Sequence, residues 1–112
     1  MEFKLSLTGS FGKIEMIGQF WEHGDFAAFE KAIEDCLGQG LTIAVVDLSR
    51  LTFVSSQGLG RLVRAYSKMR EAGGELALLS PLGSVRETIE IAGFADFMNI
   101  YNSEAELAEA LG

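Results

Sequence analysis

A chain of 112 residues is expected to be a single domain over 1–112, with room for one core. Hydrophobic residues make up 48% of it and charged residues 22%, the balance of an ordinary soluble protein, and no apolar run reaches the roughly 18 to 20 residues that span a bilayer. A net charge of −7 argues against a nucleic-acid binder, which carries a basic footprint, and it favours basic protein partners.

The lone cysteine, Cys36, excludes an internal disulfide and fits a reducing cytoplasm. The charged, alternating N-terminus does not read as a signal peptide. A cytoplasmic protein without membrane insertion is therefore expected.

Phe3, Leu5 and Leu7 alternate with Lys4, Ser6 and Thr8, which predicts a half-buried strand. Gly9-Ser10-Phe11-Gly12 supplies turn residues. Ile14, Met16, Gly18 and Phe20 alternate again, so the two segments form an antiparallel hairpin. Phe26, Phe29, Ile33, Cys36 and Leu37 then fall at helical spacing, with Asp25 as N-cap and Gly38 and Gly40 at the end. The apolar run Leu41–Leu48 predicts a central strand covered on both faces.

A second helix is predicted from about Gln57 to Glu71, burying Leu59, Leu62, Val63, Tyr66 and Met69 and stopped by Gly73-Gly74. Leu76–Leu79 is a short buried strand closed by Ser80-Pro81. Val85, Ile89 and Ala92 mark a third helix ended by Gly93, and Phe97–Tyr101 is a last strand. Ser103 caps a tail helix, with Glu106 at the capping-box position. The order β-β-α-β-α-β-α-β-α predicts an α/β fold whose sheet is mostly parallel with right-handed crossovers, and mixed because of the opening hairpin.

Residues 47–60 carry the functional signal. A strand feeds a short loop, and the loop feeds a helix start, where free N–H groups and a partial positive charge receive a phosphate or a partner carboxylate. Ser55, Ser56, Gln57 and Gly58 occupy that place and are the first candidates for binding.

Val45-Val46-Asp47-Leu48-Ser49, Leu51, Phe53 and Ser56-Gln57-Gly58-Leu59-Gly60 are followed by Gly73-Gly74-Glu75-Leu76-Ala77-Leu78, by Ile91-Ala92-Gly93-Phe94, and by Phe97, Ile100 and Tyr101. In order and spacing this series resembles the STAS domain family, the anti-sigma factor antagonists and the related domain of sulfate transporters. The resemblance covers almost the whole chain and is weakest before residue 40. It implies a mixed sheet with about four helices packed against it. It also implies a non-catalytic regulatory module that sequesters an anti-sigma factor, a serine-protein kinase with a histidine-kinase-like ATPase fold, and so frees a sigma factor.

A typical antagonist of this kind has an aspartate, two hydroxyl residues and a glycine after the aromatic position, and the second hydroxyl is phosphorylated by the partner kinase. Here Ser55 stands at the aspartate, Ser56 at the first hydroxyl and Gln57 at the acceptor. Family members often read Gly-Glu-Leu-Asp at the end of the second strand; this chain reads Gly18-Gln19-Phe20-Trp21. Two carboxylates and the acceptor are thus replaced together, which implies loss of the usual phosphorylation switch with the fold retained. In one reading Gln57 holds an unregulated interface through its amide. In the other Ser56 or Ser55 takes the phosphate, adding about −1.5 to −2 charges. Ser56 also reads as a plain N-cap.

Arg61, Arg64 and Lys68 form a basic stripe after the loop, either a solvated face or a rim that steers an acidic partner. Trp21 is off the strand's phase and partly exposed, as interface tryptophans are, or it lies over the domain edge. Cys36 sits on an apolar helical stripe and reads as packing, so no dyad with His23, the only histidine, is expected. No metal-ligand cluster stands out. Gly58-Leu59-Gly60 lacks the rest of a nucleotide fingerprint, and Asp47, read as ending a strand, anchors the loop.

No catalysis and no cofactor are expected. Two other functions stay open, an accessory subunit of a lipid-transport or signalling complex, and a nucleotide or small-ligand sensor at the helix start. The sequence names neither partner nor signal, and it leaves a homodimer open.

Overall fold

The computed structural model describes residues 2–8 and 11–111, with only the backbone of Leu7 and Thr8. Strands β1 (Glu2–Thr8) and β2 (Phe11–Phe20) form the predicted antiparallel hairpin, paired from Glu2 with Ile17 to Thr8 with Phe11. Gly9-Ser10 of the expected turn lies outside the described residues. Ile14, Met16 and Phe20 are fully buried, as their alternation requires.

Helix α1 (His23–Gly38) starts three residues earlier than the periodicity predicts, and its N-cap is Glu22, not Asp25. Asp25 is the third helical residue. Its Oδ2 accepts the N–H of Glu22 at 3.1 Å and that of Trp21 at 3.4 Å, the reach-back of a capping box. The first turn, His23-Gly24, has no apolar residue, so it carried no periodic signal.

Strand β3 (Ile43–Val54) takes in residues 49–54, expected from the sequence as part of a loop. It runs parallel to β2 through register shifts between Glu15 and Ile17 and between Gly18 and Gln19. Gly18 sits there at φ 101°, a backbone conformation open to glycine. The shifts put Leu48, Leu51 and Val54, three residues apart, on one buried face, so the two-residue alternation that marks a strand is lost.

Beyond it come α2 (Ser56–Glu71), β4 (Glu75–Leu79), α3 (Gly83–Ile91), a 3₁₀ turn at Phe94–Asp96, β5 (Asn99–Tyr101) and α4 (Glu104–Leu111). The final strand is shorter than predicted. Phe97 precedes it, its ring set edge-on to Tyr66 at 5.4 Å while the Tyr66 hydroxyl donates to the Phe97 carbonyl at 2.7 Å. Ser103 Oγ accepts the Glu106 N–H at 3.1 Å, the expected cap of α4.

The sheet order is β1-β2-β3-β4-β5, and β2 to β5 are parallel. The fold is thus α/β with a mixed five-stranded sheet and four helices. Ile14, Phe20, Val46, Leu48 and Leu78 pack on one face against Phe29 and Ile33 of α1, Leu62 and Met69 of α2, and Ile89 of α3. On the opposite face Leu107 of α4 covers Val45 and Leu79. Among the described residues no helix is long and apolar enough to cross a membrane.

Phe20 ties the main core to the end of the sheet. It is fully buried and meets Phe26 edge-on at 5.2 Å and Phe29 at 5.4 Å. Burying such a ring stabilises by about 1.5–3 kcal/mol, and each aromatic pair adds about 0.5–1.5 kcal/mol. The four parallel strands end on one edge, so the connections into α1, α2, α3 and α4 gather there, where open α/β sheets place their sites.

Candidate functional site

Val54 is followed directly by the start of α2. Ser55 has extended backbone (φ −81°, ψ 169°), and its Oγ accepts the Gly58 N–H at 3.0 Å. Ser55, not Ser56, is therefore the N-cap. The cap expected at Ser56 falls one residue earlier, because β3 extends to Val54 and the helix begins directly after Ser55. The Ser55 N–H donates to the Phe20 carbonyl at 3.2 Å, which fastens the helix start to the end of β2.

Gly58 is buried against that carbonyl. A Cβ there would sit 2.7 Å from Phe20 O and 2.9 Å from Val54 Cγ2. The close approach requires glycine, and it brings the first turn of α2 down onto β2. Ser56 and Gln57, the first two helical residues, are left exposed. No acidic residue lies in this first turn, whereas Lys68 and Arg70 lie in the last, so the helix dipole is matched by side chains at its C-terminal end only.

Trp21 follows Phe20 directly and is 49% exposed, and Phe53 precedes Val54 and is 45% exposed. Gln19 pairs with Phe53 in the β2–β3 register. Phe20 and Val54 point into the main core, so Gln19 and Phe53 point to the opposite face. There Gln19, Trp21 and Phe53 line a shallow groove. The partial exposure expected of Trp21 is observed. The groove was not anticipated from the sequence, although Phe53 next to an inward Val54 carried its signal.

The basic stripe is paired with carboxylates of α1, and Arg64 and Lys68 stay exposed. Arg61 Nη1 lies 3.2 Å from Glu30 Oε1, and its guanidinium stands 5.1 Å from the centre of the Phe26 ring. Arg64 reaches the same Glu30 oxygen at 3.7 Å, and Lys68 Nζ lies 3.2 Å from Glu34 Oε1. The three cations of α2 thus face two carboxylates of α1. Arg61 is only 28% exposed, whereas Arg64 keeps 69% of its side chain exposed. Glu30 and Glu34 read in sequence as a polar helical face, and only the packing of α1 on α2 brings them across from the stripe.

Asp47 is not at a strand end but within β3, and it does not anchor the Ser55 loop. Its Oδ1 accepts the Ser49 N–H at 3.0 Å, and its Oδ2 lies 3.7 Å from Lys13 Nζ. Lys13 also meets Glu104 of α4 at 2.5 Å. The Glu104 hydrogen bond, aided by the charges of Glu104, Asp47 and Glu15 and opposed by burial, raises the Lys13 ammonium above its ordinary 10.5.

Cys36 is fully buried, and burial followed by the charge of Asp35 pushes its thiol up, the opposite of a reactive cysteine. His23 lies thirteen residues away on the same helix, roughly 20 Å at 1.5 Å per residue, so the two form no dyad. Among the described residues no group of three or more His, Cys, Asp or Glu side chains converges on a metal position.

Comparison with known proteins agrees with this architecture. The STAS domain family model matches residues 22–107. BtrV of Bordetella bronchiseptica, provisionally named an anti-sigma factor antagonist, is 38% identical over 66 residues, 59% of this chain and 57% of that protein. The anti-sigma-B factor antagonist of Listeria monocytogenes is 32% identical over 62 residues, 55% of this chain and 54% of its own. The chain therefore spans about half the length of the curated relatives it matches. The anti-sigma factor antagonist SpoIIAA, solved in unphosphorylated and phosphorylated forms, superposes with a TM-score of 0.75 over 97% of this chain and 96% of its own in the unphosphorylated form, at 21% identity. That likeness is one of fold. With the family model covering the connection at Ser55–Gly58 and the elements on both sides of it, the chain belongs to the STAS domain family.

Proposed function

We propose that this protein is a non-catalytic regulatory module of the anti-sigma factor antagonist kind, which binds its partner through Ser56, Gln57 and Trp21, on a helix start fixed by Ser55 and Gly58, without a phosphorylation switch at Gln57. The partner is an anti-sigma factor of the serine-protein kinase class in the cytoplasm. The single observation that carries the reading is the state of Gln57. It stands exposed as the second residue of α2, at the position where the resemblance expects the acceptor, and its amide can donate and accept hydrogen bonds but cannot take a phosphate. The names of the Bordetella and Listeria relatives support an anti-sigma factor as the partner.

Ser55 is a poor substitute acceptor, because its hydroxyl oxygen already receives the Gly58 N–H. Ser56 is exposed at the first helical position and is the one hydroxyl of the pair open to a kinase. Arg64 stands at the margin of this surface and contributes mainly to steering, while Arg61 holds α2 on α1.

The test is titration with the serine-kinase anti-sigma factors of the source organism in the presence of ATP, followed by intact mass. The expected result is tight binding with no mass gain, and a gain of one phosphate with loss of the complex in Gln57→Ser. A phosphate on the parent protein that disappears in Ser56→Ala overturns the unregulated reading. Absence of binding to every such factor transfers the assignment to an accessory subunit of another assembly.

A further inference from the structure

We infer that the groove of Gln19, Trp21 and Phe53 receives a long apolar side chain of the protein partner, next to a partner lysine or arginine that meets Glu22. The inference deepens the reading above and rests on it for the class of partner, but not for the groove itself. Trp21 and Phe53 expose about half of their surface side by side. Paired exposed aromatics supply large contact area at small entropic cost, and such residues dominate interface energetics.

The groove lies at the same end of the sheet as the start of α2, on the opposite face. The Phe20 carbonyl accepts the Ser55 N–H and lies against Gly58, and Trp21 is the next residue.

The charges around the groove select the neighbour of the apolar side chain. Glu22 is exposed beside Trp21; its side chain accepts the Asp25 N–H in the capping box of α1, and no cation among the described residues pairs with it. Arg50 is matched by Glu15 at 3.6 Å, and Arg61 and Arg64 are matched by Glu30. The local excess is negative, in a chain of net charge −7. A basic residue on the partner is favoured there, and an acidic one is repelled.

Ile91 is a useful contrast. It is 88% exposed, but it ends α3, away from the start of α2, and serves as the control position.

The experiment is selection of randomised peptides displayed against the immobilised 112-residue protein, with the emission of its sole tryptophan as a reporter. The expected outcome is enrichment of peptides pairing Leu, Met or Phe with Lys or Arg. They should shift Trp21 emission to the blue and lose about 30-fold or more in affinity for Trp21→Asp, as a hot-spot residue does. Phe53→Ser should lose about 10-fold by the same logic. Glu22→Gln should lose a few-fold and flatten the salt dependence, while Ile91→Ser should bind like the parent. Both aromatics are exposed, and unchanged thermal melts of the two variants exclude a folding effect. No enrichment, an acidic consensus, or undiminished binding by Trp21→Asp and Phe53→Ser overturns the inference. Selected peptides without binding to any anti-sigma factor sink the anti-sigma reading and leave the groove. A factor bound equally by parent and Trp21→Asp sinks the groove and leaves that reading.

Discussion

Gly58 shows how one absent side chain builds the surface around it. Its backbone lies so close to Phe20 O and Val54 Cγ2 that a methyl group would overlap both, at 2.7 and 2.9 Å. One of these neighbours is backbone and cannot turn aside, so Gly58→Ala must push α2 off the end of β2. Overpacking of this kind costs about 1–3 kcal/mol, measurable as a lower urea midpoint, and it should weaken partner binding as well because Ser56 and Gln57 move with the helix. Ser55→Ala removes only the cap on the Gly58 N–H, a loss of about 1 kcal/mol. An unchanged urea midpoint in Ser55→Ala would mean that Ser55 does not hold the helix start. The glycine, the two serines and the glutamine were all visible in the sequence as a helix-start cluster. The cap itself, expected at Ser56, lies at Ser55, because the end of the preceding strand could not be read from the sequence.

At the scale of elements, the α-helices after residue 40 were legible, and the long strand beside them was legible only in its first half, up to Leu48. Leu62, Ala65 and Met69 keep the helical period and are buried, so α2 could be read from spacing. β3 loses its period where β2 slips in register, and that slip is a property of the pair rather than of either segment. The ion pairs between α2 and α1 are invisible for the same reason, since Glu30 and Glu34 belong to one helix and their cations to the other. Their exposure limits what they contribute. Exposed pairs are worth about 0.2–1 kcal/mol each, and the Arg61 guanidinium over Phe26 adds about 0.5–1 kcal/mol. A double-mutant cycle of Arg61→Ala with Glu30→Ala should therefore give a coupling of about 1 kcal/mol or less that fades at high salt. A coupling that survives molar salt would show that the Arg61–Glu30 contact is not an ordinary screened surface pair.

Across the whole molecule, the two faces of the sheet are secured by different means. Three helices and an aromatic cluster hold one face. On the other, α4 has one fully inserted residue, Leu107, and the contact of its Glu104 with Lys13 and, through Lys13, with Asp47. Ser103 and the tail helix were readable as a cap and an apolar period, but Lys13 and Glu104 stand 91 residues apart in sequence, and nothing local joins them. The Lys13 ammonium is raised above 10.5 in the folded protein, first by the Glu104 hydrogen bond. A cation held above its unfolded value stabilises fully below that value, and the contribution is lost as pH climbs through the folded one. The lysine side of the clip is therefore insensitive to pH across the neutral range and is lost in alkali. Lys13→Met should lower stability to urea by a constant amount between about pH 7 and pH 9.5, and its deficit against the parent should shrink above about pH 10.5 as the parent's own lysine discharges. Limited proteolysis at neutral pH should cut the variant first within α4. A deficit that already shrinks between pH 7 and 8 would show that a group other than Lys13 controls the docking of α4.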